Sequence, residues 1–225
     1  MIDLYELVAR ERAVRAEDLP FEERIALCEK ALGFIEPTFE IVPGTGRDER
    51  DPIELVAYDP EWPARFEAWR RRIVAALPQA PRRIDHIGST SISGMVAKPV
   101  VDIQLSVDDI EDEEAYVPAI ESLGVQLRSR DREHRYFRPF SGRPREVQVH
   151  VCGAGTEWER RHLVFRDYLR ANSEARRRYL EAKEAAAARW RDDRIAYTEA
   201  KSAIIRALTE EALKADARHR RQSRL

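Results

Sequence analysis

Two stretches of this chain alternate strictly between apolar and polar side chains, which is the pattern of a strand with one buried face. The first alternates Val101, Ile103, Leu105 and Val107 with Asp102, Gln104 and Ser106; the second alternates Val147, Val149 and Val151 with Glu146, Gln148 and His150. Each pattern predicts one face toward the core and one face available for chemistry. If the two strands are neighbours, their polar faces form one surface.

Helical spacing dominates after residue 155. Thr156 and Glu159 form a capping box at the start of a helix whose buried stripe is Trp158, His162, Phe165 and Leu169. A second helix is predicted from residue 172 or 173 toward Trp190, and a third carries Tyr197, Lys201, Ile204 and Leu208 on one stripe. An earlier helix is expected between Pro63 and Pro78.

Shorter strands are predicted for residues 53–58, 84–87, 125–127 and 134–137. Together with the two alternating stretches they indicate an α/β (α+β) fold, in which a mixed sheet has helices on one side and is followed by a C-terminal helical bundle. The sheet and the bundle occupy a domain of residues 51–213.

Residues 1–50 are expected to form a helical extension and a linker. Asp18 is a candidate N-cap, Gly33 a stop, and residues 36–52 have the proline and glycine content of a linker. This extension is interpreted as an accessory helical pair, with a regulatory arm as the alternative. Residues 214–225 form a basic tail, interpreted as solvated rather than as a nucleic-acid contact.

The amino-acid composition limits the classes of partner that this protein is expected to bind. Apolar residues make up 43% of the chain, enough for a core, and the net charge of −2 gives no general attraction to nucleic acid or anionic membranes. No apolar run approaches the roughly 20 residues that span a bilayer, and the N-terminus is too acidic for a signal peptide. Cys28 and Cys152 stand alone. A cytoplasmic protein is expected, with no membrane contact and no nucleic-acid partner.

The candidate chemistry lies around the first alternating strand. Gly88-Ser89-Thr90 follows a predicted strand, and this turn combines close backbone approach with hydroxyl donors for phosphate oxygens. Asp102 offers a carboxylate for a metal beside that phosphate. Lys201 is unexpected in an apolar stripe, where an ammonium needs an anion such as Asp167 or a ligand phosphate.

These residues resemble a known family. The glycine–serine turn followed by Asp102-x-Gln104 resembles the signature of the nucleotidyltransferase superfamily, and residues 86–103 are similar to the core motif of the GrpB family, a branch of it. Residues 165–170 and the pair Tyr197 and Lys201 also match the family pattern. The resemblance covers residues 53–210 and implies a nucleotidyltransferase-like sheet.

The resemblance implies a Mg²⁺-dependent nucleotidyltransferase that moves an NMP group from an NTP to an unknown acceptor. Asp102 and Glu146 would hold the metal, and Gln104 would complete the catalytic set. The residues expected to bind the nucleotide are Gly88, Ser89, Thr90, Lys98, Arg135 and Lys201. We expect Asp102, Gln104 and Glu146 to open into one cleft, with Ser89 and either Arg135 or Lys98 at its rim.

Gln104 leaves the activity open, because a full superfamily pattern carries a second carboxylate there. The alternative is a catalytically impaired nucleotide-binding or folding-accessory domain, related to the GrpB domain fused to dephospho-CoA kinase. A third interpretation makes the motif structural, with Asp102 capping or pairing with Lys98. His86 and His150 are interpreted as hydrogen-bonded structural residues, with acid–base or ligand roles as the alternative.

Overall fold

The computed structural model describes residues 39–43, 45, 52–140 and 142–222. The chain divides into two compact units, Met1–Glu40 and Ile41–Leu225. The predicted N-terminal helices and Cys28 lie outside the described residues. None of the described helices is long and apolar enough to cross a bilayer.

A six-stranded mixed sheet organises the described part of the chain. Its strands are β1 (Phe39–Ile41), β2 (Arg83–Ile87), β3 (Val101–Val107), β4 (Val125–Asp131), β5 (His134–Pro139) and β6 (Val147–Gly153), in the spatial order β1-β4-β5-β6-β3-β2. β3 runs parallel to β6, and the pairs β2–β3, β4–β5 and β5–β6 are antiparallel. The two alternating stretches are therefore neighbouring strands.

The described part of the chain also contains six α-helices. They are α1 (Trp62–Ala76), α2 (Val117–Glu121), α3 (Glu157–Ala171), α4 (Ser173–Arg189), α5 (Arg194–Ala200) and α6 (Ser202–Gln222). The predicted capping box begins α3: Thr156 accepts a hydrogen bond from the Glu159 amide, and the Glu159 carboxylate accepts one from the Gly155 amide. The mixed sheet and the C-terminal helical bundle are confirmed, and α6 continues through residue 222 of the predicted tail.

One predicted strand is wrong. Residues 53–58 form only an isolated bridge between Val56 and Ala97. Ile53 instead packs with Ala186 and Tyr197 in a small cluster against the C-terminal helices. Of the apolar side chains that suggested a strand, Ile53 is thus buried by helices, whereas Leu55 and Val56 are half-buried and Ala57 is exposed.

The odd-numbered residues of β3 and β6 form the main core. Val101, Ile103, Leu105 and their partners Val147, Val149 and Val151 are buried, and α1 and α2 cover them with Trp69, Ile73 and Ile120. Directly paired residues point to the same side of a sheet. The register pairs Asp102 with Ile87 and Gln148, and Gln104 with Asp85 and His150. The even-numbered residues therefore share the opposite face, where the C-terminal helices pack.

This core predicts a clear stability difference. Ile103 is fully buried in the central strand β3, so Ile103→Ala removes apolar contacts and leaves a cavity, which should lower the free energy of unfolding by about 2–5 kcal/mol. Val74→Ala, at a 43% exposed position on α1, is the matched control and should change it by less than about 0.5 kcal/mol. Urea denaturation of both variants makes the comparison. Equal effects would contradict this assignment of the core.

Candidate functional site

A cavity of about 460 Å³ lies between the even-numbered face of the sheet and the C-terminal helices. Its floor includes Gly88, Ser89, Asp102 and Gln148. Part of its lining consists of three lysines from the segment before β3, from α4 and from the junction of α5 and α6: Lys98, Lys183 and Lys201. Another part consists of ring side chains from β6 and α3: His150, His162 and Phe165. A cavity of this size accommodates a ligand as large as a nucleotide.

Gly88 and Asp102 form the tightest contact of the floor. Gly88 has a φ of +68°, and a Cβ atom placed on it would lie 2.2 Å from Asp102 Oδ2. Only glycine allows both this left-handed backbone and this approach to the carboxylate. The turn after β2 is therefore shaped against the side chain of β3.

Hydrogen bonds fix the rest of this turn to the sheet. The Thr90 hydroxyl donates to the Val100 carbonyl at 3.1 Å, and His86 Nε2 lies 3.0 Å from the same hydroxyl. Because the hydroxyl proton goes to Val100, the His86 ring supplies the other proton from Nε2. His86 stacks on Phe66 at 4.8 Å, and burial lowers its pKa to about 4. His86 is thus a neutral residue that holds the turn.

Helix α3 grips the same turn from the other side. Arg170 donates from Nε and Nη2 to the Ser91 carbonyl at 3.1 and 2.9 Å. Arg166 donates to Asp85 Oδ1 at 3.0 Å and to the His86 carbonyl at 3.3 Å. Two arginines of the motif at residues 165–170 therefore stabilise the glycine–serine turn through hydrogen bonds.

Three lysines converge on the cavity without a carboxylate of their own. Lys201 Nζ lies 3.8 Å and Lys98 Nζ 5.2 Å from the centre of the Tyr197 ring, and Lys183 Nζ donates to the Val96 carbonyl at 2.7 Å. Lys183 and Lys201 are 2% and 9% exposed. No salt bridge joins any of the three to a described acidic residue. Asp167, the protein partner considered for Lys201, pairs with Arg166 and Arg170 instead.

Burial and mutual repulsion destabilise these ammonium groups. The pKa of Lys201 falls to about 7, chiefly through burial and then through the charges of Lys98 and Lys183. Burial and Lys98 lower the pKa of Lys183 to about 8, and burial lowers that of Lys98. The negative charge of Asp102 opposes all three shifts, and that of Glu184 also opposes the shift of Lys183.

A second group of side chains at the cavity consists of His150 and His162 and the aromatic rings that support them. His150 Nε2 lies 3.6 Å from Asp102 Oδ1, and His150 Nδ1 lies 2.9 Å from His134 Nε2. Trp158 stacks on His134 at 4.6 Å and on His162 at 3.7 Å between ring centres. These contacts place two imidazoles at the cavity in fixed orientations.

Most of the residues expected to bind a nucleotide meet at this cavity. Asp102, Gly88, Ser89, Thr90, Lys98 and Lys201 all line it. The Thr90 hydroxyl is already committed to Val100 and His86. Burial raises the pKa of Tyr179, and a hydrogen bond with Ser89 partly offsets that shift.

Three expected site residues lie elsewhere, which corrects the predicted cleft. Gln104 is on the right face but is 0% exposed, and neither amide atom has a hydrogen-bond partner among the described residues. Glu146 is exposed just before β6, and Gln148 takes the position beside Asp102. Arg135 pairs with Val151 on the opposite face, where it binds Glu111 and Glu113. Alternation predicted the face of Gln104 but not which polar positions reach the cavity.

The donor set does not fit a two-metal site. Such a site needs several anionic oxygens around hard divalent ions. Asp102 is the only carboxylate among the described residues that line the cavity. Across the described ranges, no group of three or more His, Cys, Asp or Glu side chains is placed to hold a metal ion.

Sequence reasoning missed Lys183 and the aromatic support at Trp158. Lys183 carried a usable signal, because it follows Tyr179 by one helical turn on the buried stripe of α4, as Lys201 follows Tyr197. Trp158 and His162 were recognised only as a buried stripe of α3. The stacking of Trp158 on His134 joins α3 to β5, and this long-range pairing has no signature in the sequence.

A family model, several curated proteins and a crystal structure that are similar to this chain all indicate the same protein family. Residues 52–211 match the family model described as GrpB protein. A UPF0157 protein of Halalkalibacterium halodurans is 37% identical over 77% of this chain and 89% of its own length. One from Streptomyces coelicolor is 39% identical over 78% of this chain and 90% of its own. The crystal structure of conserved protein GrpB from Enterococcus faecalis, 29% identical, covers 72% of this chain and 98% of that protein with a TM-score of 0.64.

Part of another protein class is also similar. A dephospho-CoA kinase of Mycobacterium tuberculosis is 33% identical over 60% of this chain, which spans 39% of that kinase. One from Mycolicibacterium paratuberculosis is 28% identical over 70% of this chain and 45% of its own length. The chain thus spans less than half of these kinases.

The contact between Gly88 and Asp102 predicts a selective effect of two glycine substitutions. Gly88→Ala adds a Cβ against the carboxylate, whereas Gly94→Ala, at a similar φ of +74°, meets nothing within 4 Å. Both substitutions place a Cβ atom on a backbone with positive φ, and Gly88→Ala adds the clash with Asp102 and an extended ψ of −174°, so it should lose more stability. We expect this extra loss to be about 1–3 kcal/mol in thermal unfolding. Equal losses would show that the close approach is unimportant.

Proposed function

This chain belongs to the GrpB family, and we propose that its cavity binds the phosphate chain of a nucleoside triphosphate. The observation that carries the proposal is the convergence of Lys98, Lys183 and Lys201 on one cavity. Buried ammonium groups are costly without an anion, and no described carboxylate pairs with them. A ligand with several phosphate oxygens supplies the missing partner.

The charge balance indicates how anionic the ligand is. With its lysines protonated, the described lining of the cavity carries four more positive than negative charges, because the carboxylate of Asp102 shares it with Lys98, Lys183, Lys201, Arg161 and Arg206. A single phosphate monoester carries less than two negative charges near neutral pH, whereas a triphosphate carries more. Ser89 and the backbone of Gly88 add neutral donors beside the lysines. A di- or triphosphate chain therefore matches the cavity better than a monophosphate.

Nucleotidyl transfer is the activity that the family resemblance implies. The geometry of the cavity supports binding of the nucleotide more than it supports metal-dependent transfer of the NMP group. Mg²⁺ bound with the nucleotide would have Asp102 as its protein carboxylate. Glu146 and Gln104 are not placed to add to it. We therefore propose nucleotide binding for this cavity. Transfer of an NMP group to an acceptor would require a further ligand for the metal.

The similarity to dephospho-CoA kinases favours a second candidate function. Those kinases contain a segment related to this chain, so this protein is proposed to assist a separate dephospho-CoA kinase. Dephospho-CoA carries a diphosphate that would suit the same lysines. This role needs binding and contact with the kinase but no metal chemistry in the cavity.

Isothermal titration calorimetry tests the proposed binding. Tripolyphosphate, ATP, dephospho-CoA and inorganic phosphate are titrated in EDTA and in Mg²⁺. We expect binding of tripolyphosphate and ATP in EDTA, weaker binding of phosphate, and affinity that falls with salt because the contacts are ionic. Absence of binding by all four anions at millimolar concentration would refute the proposal. Tighter binding of dephospho-CoA than of ATP would favour the second candidate.

Lys201→Met should raise the free energy of unfolding and lower the affinity for tripolyphosphate. The variant removes a buried ammonium and keeps a side chain of similar length, so the unliganded protein should gain about 1–3 kcal/mol of unfolding free energy. Its affinity for tripolyphosphate should fall at least about tenfold. Lys214→Met, at an exposed position on α6, makes the same charge change and should alter neither. Lost stability with unchanged affinity would make Lys201 a structural residue.

Binding should weaken as the pH rises. Phosphate favours the ammonium form, so binding raises the pKa of Lys201 from about 7 and of Lys183 from about 8 and takes up protons. Affinity for tripolyphosphate should therefore fall between pH 6.5 and 9, by up to about tenfold per pH unit for each proton taken up. Calorimetry in buffers of different ionisation enthalpy counts these protons. A flat profile that Lys201→Met leaves unchanged would contradict the proposal.

A further inference from the structure

The cavity has two unlike walls. The lysine wall consists of Lys98, Lys183 and Lys201, carried by the segment before β3, by α4 and by the junction of α5 and α6. The histidine wall consists of His150 on β6 with His162 and Phe165 on α3. The phosphate chain accounts for the first wall only. The second offers flat ring surfaces and imidazole nitrogens.

Trp158 holds His162 in one orientation and one protonation form. The two rings stack at 3.7 Å, and His162 Nδ1 lies 2.8 Å from the Trp158 carbonyl. Because a carbonyl only accepts, Nδ1 carries the proton. In the neutral ring, Nε2 is then an acceptor, and it is the nitrogen that remains for a ligand. Burial lowers the pKa of His162 to about 4, so the ring stays neutral near pH 7.

His150 is held in a comparable way. Its Nδ1 lies 2.9 Å from His134 Nε2, and Trp158 stacks on His134 from the α3 side. His134 in turn has its Nδ1 3.7 Å from Asp131 Oδ2. The row of Asp131, His134 and His150 thus anchors the ring that meets Asp102 in the cavity. Each imidazole of the histidine wall is therefore oriented by a hydrogen bond of its Nδ1 atom.

Resting on the proposed binding of a phosphate chain, we propose that the histidine wall binds the base of the nucleotide and selects bases with an amino group at position 6 of a purine or position 4 of a pyrimidine. The base lies against His162 and Phe165, and its amino group donates to His162 Nε2. Adenine and cytosine carry such a group at the position where hypoxanthine and uracil carry a carbonyl oxygen. The carbonyl would face the imidazole acceptor with a second acceptor.

Two physical effects support this assignment. Stacking of a base on an aromatic ring gains affinity with any base, because every base has a π-face. An unpaired acceptor in a partly buried site is costly, so a site built around an acceptor rejects the analogue that lacks the donor. The first effect separates nucleotides from tripolyphosphate. The second separates amino bases from their carbonyl counterparts.

The test compares five ligands by calorimetry in EDTA: tripolyphosphate, ATP, ITP, CTP and UTP. The wild-type protein should bind ATP and CTP about tenfold more tightly than ITP and UTP, and all four more tightly than tripolyphosphate. His162→Phe keeps a ring for stacking but removes the acceptor, so it should abolish the preference for amino bases. His162→Ala should also reduce nucleotide binding toward that of tripolyphosphate. His219→Ala, at an exposed position on α6, is the control.

Binding of tripolyphosphate reports whether the variants remain folded and keep the lysine wall. Unchanged tripolyphosphate affinity in both His162 variants, with loss of base selectivity, supports the proposal. Equal affinity of the wild-type protein for ATP and tripolyphosphate overturns it while leaving the proposed phosphate binding intact. Failure of tripolyphosphate and all nucleotides to bind overturns both. A preference for ATP over ITP that survives His162→Phe overturns the role of His162.

Discussion

Among the described residues that line the cavity, the buried Lys183 and Lys201 and the half-buried Lys98 share one carboxylate, and this imbalance of charge is the constraint on which the site depends. Lys98, Lys183 and Lys201 come from three different segments, so their approach requires the sheet, α4 and the junction of α5 and α6 to be in place. Their mutual repulsion opposes folding, and Asp102 offsets only part of it. The energy for this arrangement comes from the apolar core on the other face of the sheet and from the cluster that joins α3, α4 and α6.

The position of Asp102 is secured independently of the lysines. It lies in the central strand β3, between β2 and β6, and the backbone of Gly88 contacts its carboxylate. Arg166 and Arg170 brace the turn that contains Gly88. The carboxylate is thus held by contacts of its own, whereas the three lysines have no paired carboxylate among the described residues; under the proposed function a bound anion is their partner. Sites that bind charged ligands often give up stability in this way.

The sequence predicted the sheet and the face of the site because both follow from a period of two. The alternation in β3 and β6 placed Asp102, Gln104, Gln148 and His150 on one face, as found. It did not predict depth, since Gln104 is enclosed while its neighbour Asp102 lines the cavity. Arg135 was placed wrongly because its side chain follows β5, whose register with β6 depends on a long-range pairing. Lysine on a predicted buried helical stripe occurs at Lys201 and again at Lys183, and both side chains line the cavity.

A structure of the protein with ATP bound in EDTA tests the central claim most directly. The account predicts that the β- and γ-phosphates lie among Lys98, Lys183 and Lys201, with phosphate oxygens about 2.7–3.0 Å from the lysine Nζ atoms. It also predicts that the lysines move little, because all three already line the same cavity. Nucleotide bound elsewhere on the protein, or lysines that turn away to pair with carboxylates of the chain while the cavity stays free of ligand, would contradict it.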